Sequence, residues 1–135
     1  MKNELVVVTV LGLLALDSSS APRERQRRDE PVEVVLARVP QKARGRRNPL
    51  RDDADAPAAG KKLFVEHCAE CHGESAGGSQ RGPGLGPLLS RATDGEIFWL
   101  IANGVVQRGM PDWSKLPEPQ RWQIIAFLRR VNAPK

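Results

Sequence analysis

Cys68-Ala69-Glu70-Cys71-His72 is the stretch on which the reading of this chain turns. Two thiols three positions apart on a helical turn face the same way. They can add to the two vinyl groups of one haem and form thioether bonds. His72, the next residue, is then held beneath the porphyrin, where an imidazole nitrogen can ligate iron. Two other readings use the same residues. A thioredoxin-type redox pair expects a strand before the motif and a parallel sheet around it, and the sequence shows neither. Half of a zinc site would take His67 as its further nitrogen ligand, but ligands crowded into residues 67–72 do not readily surround a metal tetrahedrally.

A six-coordinate haem needs a second axial ligand. The chain offers two His, two Met and no Tyr. His67 is too close in sequence to cross to the other face, and Met1 is expected to be lost with an N-terminal export signal. That leaves Met110, in Gly109-Met110-Pro111. A lone Met is commonly a core filler, but Pro111 and the flanking glycines argue for a fixed loop. A Lys ligand or an open iron site are the alternatives. Thioether ligation favours the ferrous state and raises the potential relative to two nitrogen ligands.

Helical signals surround the motif. Asp55 can cap a helix that Pro57 begins and that runs through Gly60 and Phe64 to the cysteines. Thr93-Asp94-Gly95-Glu96 is a capping box. The helix it opens carries Ile97, Leu100 and Ile101, and Gly104 stops it. Pro117 or Pro119 starts a last helix, in which Ile124, Phe127, Leu128 and Val131 fall on one apolar face. Residues 73–90, rich in Gly and Pro, should form a long ordered loop around something.

Composition limits where a core can form. The chain has 135 residues, room for one domain. All six aromatics (Phe64, Phe98, Trp99, Trp113, Trp122 and Phe127) lie in the C-terminal part. Two Cys rule out a disulfide scaffold and a four-cysteine zinc site. No apolar run reaches the roughly 20 residues of a membrane-spanning helix.

Three regions follow. Residues 1–21 read as an export signal or N-terminal anchor: Lys2, the apolar run Leu5–Leu16, Asp17, then Ser18, Ser19, Ser20 and Ala21. Residues 22–57 read as an extended, charged, Pro-containing arm with no aromatic. Within it, Val32–Val39 could pair as a strand or lie along the domain surface. Arg44, Arg46 and Arg47 invite a nucleic-acid or anionic-lipid reading, but no aromatic is interleaved for base stacking. A solvated arm is the plainer reading, and no nucleic-acid partner is expected. Residues 58–135 are the folded domain.

That domain resembles a monohaem class I c-type cytochrome of the bacterial, exported kind. Gly60-x-x-x-Phe64-x-x-x-Cys68 is similar to the family's first helix, in which a glycine and an aromatic cross the last helix. Ile124 and Phe127 match the positions they would meet. Gly82-Pro83-Gly84-Leu85 is similar to the family's Gly-Pro-x-Leu loop, which implies that the Pro83 carbonyl accepts a hydrogen bond from the His72 ring N–H. Gly104-x-x-x-x-Gly109-Met110-Pro111 resembles the Met-ligand loop. The resemblance departs from the family where the last helix lacks a polar cap. It also leaves the proline assignment open, because Gly86-Pro87 is a second Gly-Pro pair. Trp99 and Trp113 either pack on the haem, donate to a propionate, or are plain core.

The resemblance implies an all-α fold: three main helices around one covalently bound haem c, with an extended N-terminal arm. Its cofactor-binding residues would be Cys68, Cys71, His72, Met110, Pro83 and Leu85, with His72 and Met110 as iron ligands. The implied function is one-electron transfer between exported redox partners, not bond-making catalysis. The alternative is a haem-c subunit dedicated to a dehydrogenase or reductase complex. A sensor or peroxidase with an open iron site is a third reading. The expected location is the periplasm or the outer face of the cytoplasmic membrane. Membrane attachment would require that the N-terminal segment be retained. Arg81, Arg108 and Lys115 are expected to border the exposed haem edge and to steer an acidic partner.

Overall fold

The computed structural model describes residues 30–134. The export-signal reading of residues 1–21 and the first part of the arm lie outside them. Among the described residues the regular structure is helical, and the one β feature is an antiparallel bridge between Val105 and Met110.

Two short helices come first: α1, Val32–Ala37, and α2, Gln41–Arg44. Then follow α3, Ala56–His67, α4, Ala69–His72, and α5, Gly86–Leu89. The middle helix α6 spans Asp94–Asn103 and the last helix α7 spans Glu118–Val131.

Helix α3 has Pro57 in its first turn, where a missing N–H costs little. The expected cap, Asp55, makes no side-chain cap bond. Asp53 does that work, because its Oδ1 accepts from the Asp55 and Ala56 N–H groups at 2.8 and 3.2 Å. The capping box of α6 forms as read: Glu96 N–H donates to Thr93 Oγ1, and Thr93 N–H donates to the Glu96 carboxylate. Gly104 ends α6 with φ of 68°. A Cβ there would stand 2.6 Å from the Pro111 carbonyl carbon, so glycine also lets the Met110 loop close in. Helix α7 begins without a side-chain cap, with Pro119 in its first turn.

The fold is organised by α3 crossing α7. At Gly60 an added Cβ would lie 1.8 Å from the Gln123 carbonyl oxygen, so only a hydrogen fits between the two backbones. One helical turn on, Phe64 meets Phe127 with ring centroids 5.3 Å apart. Ile124, Phe127 and Leu128 are buried, but Val131 is 42% exposed and lies beyond the crossing. Arg129 ties α7 to the middle of the chain. It donates to the carbonyls of Leu89 and Ala92 and to the Asp94 carboxylate.

The described part of the arm lies along the domain surface, coiled into α1 and α2 rather than running as extended backbone or a strand. Pro31 and Pro40 stand at the two N-caps. Val35 and Val39 are buried with Leu100 of α6. Arg44 donates to the Leu36 and Val39 carbonyls, closing the end of α1. A Cβ on Gly95 would come within 2.0 Å of the Ala43 carbonyl, so α2 rests directly on α6. Arg46 lies 4.3 Å over the Phe98 ring. Arg44 also lies 3.7 Å from the Glu96 carboxylate, so two of the three arginines that suggested anion binding hold the arm to the domain. Charge-rich composition read as a free chain because the apolar surface that folds it lies elsewhere in the sequence.

Candidate haem site

Helix α3 delivers Cys68 directly into the turn α4 that carries Cys71 and His72. A helix, not a strand, precedes the two thiols, which removes the thioredoxin-like arrangement. Their chemistry differs as well. Burial, and then the neighbouring Cys71, push the Cys68 thiol up to about 11, whereas reactive redox thiols are held low. Among the described residues no three of His, Cys, Asp and Glu gather as a metal cluster.

The Gly- and Pro-rich loop closes back on this turn. His72 Nδ1 lies 2.9 Å from the Pro83 carbonyl oxygen. A carbonyl only accepts, so the proton sits on Nδ1 and Nε2 keeps its lone pair. The Gly78 N–H donates to the His72 carbonyl at 2.7 Å, and Ser79 Oγ donates to the Cys71 carbonyl at 2.6 Å. A Cβ on Gly82 would sit 2.9 Å from the Cys71 carbonyl oxygen, which accounts for glycine before Pro83. Pro87 of the second Gly-Pro pair is used differently, in the first turn of α5.

One cavity receives Cys68, His72, Pro83, Leu85 and Met110 together. It holds about 1090 Å³ of atom-free space, its open mouth included. Phe64, Leu88, Ile97, Leu100, Ile124 and Leu128 give it apolar walls. Met110 is half-buried, on a loop pinned by reciprocal bonds between Val105 and Met110 backbones at 3.0 and 3.3 Å. An apolar slot with the Cys68 thiol in its lining and a tautomer-locked imidazole within it fits a haem; Cys71 sits on the same turn but does not itself line the slot. Trp99 packs with Val35, Val39 and Leu100, and Trp113 sits against His67, so both have packing partners of their own.

Sequence reasoning missed the arm's share of the cavity, Glu30, Val32 and Val35. The signal was present, since Val32, Val35, Leu36 and Val39 recur at helical spacing. Arg81 and Arg108 also line the cavity, and both carry acidic partners. Arg81 pairs with Glu70, and Arg108 Nε lies 3.6 Å from the Glu30 carboxylate.

These features define a monohaem class I c-type cytochrome. The family model described as cytochrome c oxidase, cbb3-type, subunit III matches residues 55–128, and the chain belongs to that family. Among solved structures it is similar to cytochrome CL from the marine methylotrophic bacterium Methylophaga aminisulfidivorans, with 29% identity and a TM-score of 0.55. That match covers 62% of this chain and 58% of the other, so the chain spans little more than half of that relative's length. The matched domain thus belongs to a family of electron-transfer proteins that carry covalent haem c. Cys68 and Cys71 are its only cysteines.

Proposed function

We propose that the protein is a one-electron carrier in which Cys68 and Cys71 hold the haem, and His72 and Met110 are its axial ligands. The haem supplies the Fe(II)/Fe(III) chemistry. The chain binds it, orients it and keeps water away. Pro83 holds the proton on His72 Nδ1, which strengthens Nε2 as a ligand. The observation that carries this reading is the shared cavity: tautomer-locked His72 and loop-borne Met110 line the same apolar slot.

The test uses the exported protein. A pyridine haemochrome spectrum should report a haem with both vinyl groups saturated, and acidified acetone should not extract it. Met110→Ala should keep the haem, bind added imidazole or cyanide and lose potential. An unchanged ferric spectrum in Met110→Ala would show that another residue is the ligand.

Export to the periplasm or the outer face of the cytoplasmic membrane is part of this proposal. The apolar run Leu5–Leu16, followed by small residues, supports it. Redox proteins are its partners. The three cations expected to steer an acidic partner all have acidic neighbours: Glu70 at Arg81, Glu30 at Arg108 and Asp112 at Lys115. Steering by that ring is correspondingly weak. A second reading, a haem-c subunit within an oxidoreductase complex, draws on the name of the matching family, which describes an oxidase subunit. Size-exclusion chromatography of a gently solubilised extract separates the two, since a free carrier elutes alone.

A further inference from the structure

The domain matched by the family begins at residue 55, yet the haem cavity does not end with that domain. Helix α1 supplies Val32 and Val35 to its lining, and Glu30 stands at the head of the same helix. Val35 is buried at 8% exposure and packs in one cluster with Val39 and Leu100, against which Val105 also rests. Val105 is the bridge partner of Met110. Glu30 reaches two ways: its carboxylate meets Arg38 at the end of α1 at 3.2 Å, and Arg108 in the turn before Met110 at 3.6 Å. The side chains of Arg108 and Glu30 are only 14% and 24% exposed, so solvent screens this pair less than a surface pair.

We propose that residues 30–39 are a wall of the haem pocket, with Glu30 a positioning residue that latches the Met110 loop through Arg108. The wall rests on the reading that this cavity holds the haem with Met110 as a ligand. It has two consequences. Val32 and Val35 keep water off the haem, and burial of this kind favours the less charged ferrous form. The latch holds Val105–Met110 in place and so disfavours replacement of the Met ligand by an incoming base.

The experiment compares full-length holoprotein with Glu30→Gln, Val35→Asn and Met110→Ala, each checked by thermal melting. Ferric imidazole affinity should rise about fivefold in Glu30→Gln, the upper end for losing a partly exposed ion pair. Glu30→Gln is nearly isosteric and partly exposed, so it should fold even where Val35→Asn does not. In Val35→Asn the reduction equilibrium should move about tenfold toward ferric, which for one electron is about 59 mV. Wild-type imidazole affinity and potential in both arm variants, beside a Met110→Ala that does respond, overturn the wall and the latch while sparing the ligand reading. If Met110→Ala also keeps wild-type values, the ligand reading fails first and the latch falls with it.

Discussion

The Asn48 side-chain amide donates to the Trp122 carbonyl at 2.9 Å, joining the arm to the last helix. Asn48 is 3% exposed, and its own oxygen accepts from the Leu50 N–H at 2.8 Å. One buried side chain thus turns the chain into α3 and anchors it on α7. Asn48→Ala breaks both bonds and strands a sheltered N–H. The expected cost is about 2 kcal/mol, within the usual range for unpaired buried groups. Chemical denaturation of the holoprotein measures it, and the haem spectrum should stay unchanged.

Gly60 admits no side chain, because the nearest atoms are backbone and cannot rotate away. Gly60→Ala must push α3 from α7 and open the Phe64–Phe127 contact. Overpacking generally costs about 1–3 kcal/mol, and this site should lie at or above the upper end. A denaturant midpoint equal to wild type would show that the helices part without penalty.

Glu118 titrates below its ordinary value of 4.5. The Trp122 indole N–H, 3.3 Å away, stabilises its carboxylate first, and Arg46 adds to this at 2.7 Å. A depressed acid favours the fold above its ordinary value and loses that contribution as pH falls through the folded value. Glu118→Gln should therefore melt below wild type at neutral pH and converge with it well below pH 4.5. Melts at the two pH values decide this; parallel curves throughout would assign no pH dependence to Glu118.

Glu70 covers the charge of Arg81 beside the haem cavity. With an acidic redox acceptor, Glu70→Gln should raise the second-order electron-transfer rate at low salt. The gain should vanish at high salt, where exposed charges beyond a few ångströms are screened. Stopped-flow rates over a salt series test it. A rate unaffected at low salt would place docking away from this edge.

The site was far more legible than its surroundings. Cys68, Cys71 and His72 are adjacent in sequence, so their geometry follows from a single helical turn. The capping box at Thr93 and Glu96 and the stop at Gly104 are equally local. The arm was misread in conformation because Val35, Val39 and Asn48 gain their partners from residues more than 50 positions away. Val131 was misread for the converse reason: it continues the periodic face of α7 past the end of the surface that α7 covers.

The sequence by itself determined the class of cofactor, its attachment chemistry and the three main helices, since these rest on contacts within a few residues. It left open which of two Gly-Pro pairs meets His72, and the helical spacing of Val32, Val35, Leu36 and Val39 did not say that this segment borders the haem cavity. Only the tertiary structure decided those points. Pro83 meets His72 because the loop packs Gly82, where a Cβ would not fit, against the Cys71 backbone, and the arm becomes a wall because folding brings α1 beside the Met110 loop. Both outcomes depend on close approach between distant segments, which residue order along the chain does not encode locally.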